Sequence, residues 1–174
     1  GLLIVKSGQL RIFILSESGK EITLFRLFER DVCILSSSCL MRNITFDIQV
    51  EAEKNSEILL MPAGVFKLLS DGNPAVKDFN TEIVSARLSD VMWVIEQVVF
   101  MSMDRRLANF LLEQAALEGS NQLSITHETI ARNLGTAREV VSRMLKYFQN
   151  EDMVSLSRGT VTLTDEKKLN ELAF

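Results

Sequence analysis

The sequence predicts an α+β fold: short strands in the N-terminal part, one long helix in the middle, and a winged helix-turn-helix at the C-terminal end. Three observations carry that expectation. Residues 1–62 alternate short apolar runs with turn residues, no Gly or Pro falls between Pro74 and Gly119, and two helical stretches meet at Gly135 within Ile125–Leu145, with β-like segments close behind. The implied organisation is a strand-built domain over 1–72, a long helix over 73–103 and a helix-turn-helix domain over 104–174.

In order along the chain, Ser7-Gly8 is a turn before Leu10–Leu15, an apolar run broken by Arg11. Glu17-Ser18-Gly19-Lys20 reads as a hairpin loop, followed by a strand from Ile22 to Phe28. Ile44, Phe46, Ile48 and Val50 alternate with Thr45, Asp47 and Gln49, the period of a half-buried strand. Glu57–Met61 is a strand stopped by Pro62, where a short helix begins. Several short strands with regular turns suggest a sandwich or barrel.

Asn73-Pro74 is a helix start, with Asn as cap and Pro at the first helical position. A helix from there to residue 102 spans roughly 43 Å. Val84, Leu88, Val91, Ile95 and Val98 recur at spacings of 4, 3, 4 and 3, a heptad seam suited to pairing with a second copy of the helix. The alternative is packing against the chain's own strands. Asp104 is placed to cap the next helix, with Leu107, Phe110, Leu111 and Leu112 inward, and Gly119-Ser120-Asn121 ends it. After the helix-turn-helix, Met153–Leu156 and Thr160–Leu163 flank Ser157-Arg158-Gly159 as a hairpin wing, and Asp165–Ala173 closes the chain as a short helix.

Within the helix-turn-helix, Thr126 caps the first helix, whose inner side is Ile130, Ala131 and Leu134. Gly135 takes the left-handed turn. Thr136 is read as the cap of the second helix, anchored by Val140, Val141, Met144 and Leu145. That leaves Arg138, Glu139, Ser142, Arg143 and Lys146 for the solvent side. Arg can bond guanine O6 and N7 together, Glu can accept from cytosine N4, and Ser can meet several base edges. The start of a second helix is the part that enters a major groove. Glu139 has another reading: Thr136-x-x-Glu139 fits a capping box, and Arg143 could pair with Glu139 at i+4. The net charge of −4 opposes bulk attraction to DNA, but Arg132, Arg138, Arg143 and Lys146 outnumber Glu139 in this segment.

With these residues in view, the chain resembles the CRP/FNR superfamily of bacterial transcription regulators over essentially its whole length. The resemblance is strongest in Arg105-Arg106-Leu107-Ala108, Thr126–Ala131 and Leu134–Arg143. It implies a jelly-roll, cyclic-nucleotide-binding-like sensor domain before the long helix, with its first strand or two absent here. The chain has no initiator Met, and its true start is expected upstream. Glu139, Ser142 and Arg143 match the E-x-x-S-R signature of the FNR branch, and Arg138 matches a base-contacting Arg of the CRP branch. An inverted repeat with TTGAT- or TGTGA-type half-sites follows, as do a homodimer, double-stranded DNA and RNA polymerase as partners, and a cytoplasmic, bacterial setting.

The same resemblance places the effector pocket near Cys33, Ser36, Ser37, Ser38, Cys39 and Arg42. Relatives that bind cyclic nucleotides carry a Gly-Glu pair and an Arg-Ser pair in this stretch, and residues 30–42 contain neither. A cyclic phosphate needs a fixed positive charge and backbone donors, so the stretch argues against cyclic AMP and leaves a small-molecule or redox effector unnamed. Cys33 and Cys39 read either as a thiol switch or haem ligand, or as small buried apolar residues. Two cysteines fall short of the four an iron–sulfur cluster normally takes, and they suit a reducing compartment better than a disulfide scaffold. His127, the single histidine, is read as a surface or phosphate-facing residue. The sequence shows no Gly-rich phosphate loop, no metal-ligand spacing and no long apolar span, so catalytic, metal and membrane roles are not expected. A jelly-roll module regulating another protein is the rival reading, and the winged helix-turn-helix counts against it.

Overall fold

A computed structural model describes residues 1–33 and 48–174. Residues 44–47 of the strand expected over 44–50 lie outside them. The chain divides into two compact units, Gly1–Gly19 with Thr23–Ile95 and Lys20–Ile22 with Glu96–Phe174.

The first unit is built on two three-stranded sheets. Strands β1 (Leu2–Ser7), β4 (Val32–Cys33) and β6 (Glu57–Met61) form one, in the order β4-β1-β6, and β2 (Leu10–Leu15), β3 (Glu21–Leu27) and β5 (Gln49–Ala52) form the other, in the order β3-β2-β5. Gly8, at φ 94°, makes the turn between β1 and β2, a conformation that glycine adopts at no steric cost. Leu3, Val5, Leu10, Ile12, Leu24, Phe25, Leu27 and Cys33 bury their side chains in one cluster shared by both sheets. The interruption at Arg11 has a structural cause. The Arg11 side chain is almost fully buried, with Nε donating to Thr23 Oγ1 at 2.7 Å, Nη1 donating to Glu51 Oε2 at 3.0 Å and the guanidinium 4.3 Å over the Phe13 ring. A buried charge is tolerated when it is paired and hydrogen-bonded, and here it lets β2 carry an apolar face and a buried polar face. Ile48 packs on the shared cluster, but Val50 is exposed, so the expected alternation does not bury both residues.

Helix α1 (Ala63–Gly72) starts at Pro62 and buries Phe66 beside Leu2. Helix α2 runs from Pro74 to Phe100. Asn73 Oδ1 accepts from the Ala75 N–H at 3.0 Å, the local bond that favours Asn before a helix. One side of α2 packs on the first unit through Val76, Ile83, Val84, Val91 and Val94.

The second unit contains α3 (Met103–Glu118), β7 (Gln122–Leu123), α4 (His127–Leu134), α5 (Arg138–Asn150), β8 (Val154–Ser157), β9 (Thr160–Leu163) and α6 (Glu166–Ala173). Its core draws Leu107, Phe110 and Leu111 from α3, Ile130, Ala131 and Leu134 from α4, Val141, Leu145 and Phe148 from α5, Val154, Val161 and Leu163 from the hairpin, and Leu169 from α6. Strand β9 lies between β8 and β7. The cap of α3 is Ser102, not Asp104. Asp104 sits in the first turn instead, where its carboxylate accepts from the Arg105 N–H at 2.9 Å. The Ser102 hydroxyl, more than any other neighbour, holds that carboxyl below the usual range. Negative charge there complements the free N–H groups of the first turn.

Candidate nucleic-acid interface

The interface grows from two local signals. Thr126 Oγ1 accepts from the Thr129 N–H at 3.1 Å and starts α4. Gly135, at φ 65°, ends it with its N–H bonded to the Ala131 carbonyl. The expected capping of α5 is corrected by one residue: Ala137 occupies the cap position and no side chain bonds to the helix end. Thr136 and Glu139 therefore do not stand at the spacing of a capping box, which requires the cap and the third helical residue. Thr136 is half-buried in the turn, and its N–H bonds to the Ala131 carbonyl at 3.1 Å.

On α5, Val141, Leu145 and Phe148 face the core, which fixes the opposite side outward. Arg138, Glu139, Arg143 and Lys146 are exposed and Ser142 is half-buried. Residues 139, 142, 143 and 146 share one face by helical spacing, with Arg138 at its N-terminal flank. Among the described residues, none of Arg138, Glu139, Arg143 and Lys146 forms an intramolecular salt bridge. The Glu139–Arg143 pairing open at the level of sequence is not made. The charged heads stand free toward solvent.

Two residues whose contacts the sequence does not reveal complete the arrangement. The His127 Nδ1 lies 2.9 Å from the Ser142 Oγ, so the first helix of the motif touches a base-reading candidate on the second. Burial, and after it the charge of Arg138, hold the imidazole below its ordinary value. The i to i+15 separation of these two residues gave no periodic signal to find them by. Arg106, on α3, donates from Nη2 to the Leu134 carbonyl at 2.6 Å and so occupies a carbonyl that the end of α4 leaves open. The doublet Arg105-Arg106 was visible in the sequence, but its target was not. Behind the motif, β8 and β9 pair from Val154↔Leu163 to Ser157↔Thr160, and Arg158 and Gly159 form the exposed turn of the wing.

The remaining candidate residues lie in the first unit and along α2. Cys33 is a free, fully buried thiol in the shared cluster. Ser36, Ser37, Ser38, Cys39 and Arg42 lie outside the described residues. Val84 and Val91 are half-buried against the first unit, whereas Leu88, Ile95 and Val98 are exposed. Among the described residues there is no group of three or more His, Cys, Asp or Glu side chains able to hold a metal, and no helix long and apolar enough to cross a membrane.

Sheets, a long helix and a winged helix-turn-helix with an exposed polar face on its second helix define a DNA-binding regulator. Residues 105–172 match the Crp-like helix-turn-helix domain. The chain is 52% identical to a candidate transcriptional regulator of the Crp/Fnr family from Eubacterium rectale whose crystal structure it superposes on with a TM-score of 0.95, covering 99% of this chain and 80% of that one. It is 27% identical to the cyclic AMP receptor protein of Thermus thermophilus over 99% of this chain and 79% of that protein. It also shares the fold of a second Thermus thermophilus regulator of the CRP/FNR family, at 22% identity and a TM-score of 0.75, covering 99% of this chain and 87% of that one. The chain belongs to the CRP/FNR superfamily of transcription regulators.

Proposed function

We propose that two copies of this chain bind an inverted repeat of double-stranded DNA with TTGAT- or TGTGA-like half-sites, each reading one half-site with α5. The observation that carries this reading is the solvent-facing set Arg138, Glu139, Ser142, Arg143 and Lys146, whose charged members have no salt-bridge partner among the described residues. In this reading Arg138 and Arg143 address guanine, Glu139 addresses cytosine N4, and Lys146, Thr136 and the wing residue Arg158 meet phosphates. Residues 104–174 are the DNA-binding part, 73–103 the pairing helix and 1–72 the sensor, with RNA polymerase as the downstream partner.

Pairing rests on the exposed side of α2. Leu88, Met92, Ile95 and Val99 are 61%, 53%, 46% and 62% exposed, and at 100° per residue they fall within one narrow stripe. A stripe of that kind is normally covered by a partner. Val98 borders it, while Val84 and Val91 turn toward the chain's own strands. The signal reaching the sensor is a small molecule or a redox change acting at the region of Cys33, Ser36–Ser38, Cys39 and Arg42, and it is not cyclic AMP, since residues 30–42 lack the Gly-Glu and Arg-Ser pairs.

Selection of bound sequences from random duplex DNA by the purified chain tests the reading. Recovery of a palindrome with either half-site is the expected result. A non-palindromic pool, or one unchanged by Arg143→Ala, overturns it.

A further inference from the structure

Resting on the proposed reading by α5, we propose that His127 is a specificity-positioning residue: through the 2.9 Å bond between its Nδ1 and the Ser142 Oγ, it decides whether Ser142 meets its base as an acceptor or as a donor. A serine hydroxyl has one proton and two lone pairs. When neutral His127 carries its proton on Nε2, Nδ1 accepts the Ser142 proton. The hydroxyl then offers only lone pairs, which suit the amino groups of adenine N6 or cytosine N4. When His127 is protonated, Nδ1–H must donate to Ser142. The hydroxyl proton is freed and suits acceptors such as thymine O4 or guanine O6 and N7.

The geometry favours this role over a general surface role. His127 is half-buried at the first turn of α4, and Ser142 is the half-buried member of an otherwise exposed face. The two side chains are thus held against each other where the helices cross. Among the described residues the charge that acts on the imidazole is Arg138 on α5, and Glu128 is its exposed sequence neighbour in the first turn of α4. Burial and Arg138 favour the neutral ring, and the proposed role takes that ring with its proton on Nε2, the tautomer in which Nδ1 accepts and Ser142 is in the acceptor form. Bound DNA phosphates act in the opposite direction and bring protonation closer to physiological pH.

The test measures Kd for the selected duplex, and for duplexes changed at each half-site base pair, between pH 5.5 and 8 for the wild-type chain, Ser142→Ala, His127→Ala and His127→Gln. Ser142→Ala identifies the base pair it reads. At that pair the wild type is expected to prefer an amino-bearing base at pH 8 and to lose roughly three- to tenfold of the preference on acidification, the worth of one neutral hydrogen bond. His127→Ala should lose the preference at all pH values. His127→Gln, which keeps a hydrogen-bonding group, should retain part of it with no pH dependence. His127→Ala should add nothing in the Ser142→Ala background. The Gln variant keeps the test decisive if the Ala variant loosens the motif.

Preference that survives His127→Ala, or a pH dependence that survives Ser142→Ala, overturns the proposal and leaves DNA reading intact. A wild-type chain with no base preference anywhere removes the DNA reading itself.

Discussion

At the scale of single residues, the second unit depends on side chains that tie helix ends together. Arg106 is the clearest. It bridges α3 to the C-terminal carbonyl of α4 at 2.6 Å, and burial pulls its guanidinium below the usual range without supplying a carboxylate partner. Arg106→Ala should therefore lower unfolding free energy by about 1–3 kcal/mol, the range for a buried hydrogen bond to a charged group that leaves its acceptor unsatisfied. Urea unfolding of the two chains measures it, and a change within error would show that solvent replaces the bond. His127 gives a second prediction with a defined sign. Its folded value is depressed below the unfolded 6.5, so the unfolded chain takes the proton first and stability falls as pH drops through 6.5 toward the folded value. The melting temperature of the wild type should decline across that window relative to His127→Gln, and parallel curves would contradict it. How far the sequence reached at this scale depended on range. Thr126 as a cap and Gly135 as a left-handed turn are signals spanning four residues, and both were legible. Thr136 was misplaced by one position because Thr136 and Ala137 compete for the cap, and only the packing of Val141 and Leu145 decides where the helix starts. The His127–Ser142 and Arg106–Leu134 contacts join residues far apart in sequence and have no local signature.

At the scale of elements, periodicity did most of the predictive work. The 27-residue α2 was legible from the absence of breakers and the Asn73-Pro74 start, and the wing from two β runs around Ser157-Arg158-Gly159. Strand β7 was not, because two residues carry no period, and it exists only because β9 offers a free edge to Gln122 and Leu123. Gly119 offers a clean measure of what a helix terminus contributes. It sits at φ 60° with its N–H on the Ala115 carbonyl, and a Cβ added there meets nothing within 4 Å. Gly119→Ala should thus cost only the left-handed strain, about 1–2 kcal/mol, and Gly119→Asn less than that, since Asn tolerates this region better. Thermal or urea unfolding of the three chains orders them, and an unchanged Ala variant would mean that the end of α3 rearranges at no cost.

At the scale of the whole molecule, the sequence reads Val84, Leu88, Val91, Ile95 and Val98 as one seam on α2, and it does not reveal which of them the chain's own strands will take, because apolar residues lie on several sides of the helix. The strands take Val84, Val91 and Val94, and what they leave is the stripe of Leu88, Met92, Ile95 and Val99. If that stripe joins two copies, charge placed at its centre should separate them without disturbing either unit's core, since the exposed Leu88 and Ile95 belong to no buried cluster. Leu88→Glu with Ile95→Glu brings like charges face to face across a pairing seam and removes two apolar contacts from each copy. Sedimentation equilibrium should then report a monomer at concentrations where the wild type is a dimer. Circular dichroism should be unchanged, because the substitutions lie outside both cores. The effect on DNA should be selective. Each α5 keeps Arg138, Glu139, Ser142 and Arg143, so contact with a single half-site survives. The gain from holding two reading helices one DNA turn apart is lost, and affinity for the palindrome should drop by about 100-fold or more toward that for a half-site. A variant that stays dimeric would place the interface on another surface, and a monomer that still binds the palindrome at full affinity would show that the DNA, rather than α2, brings the two copies together.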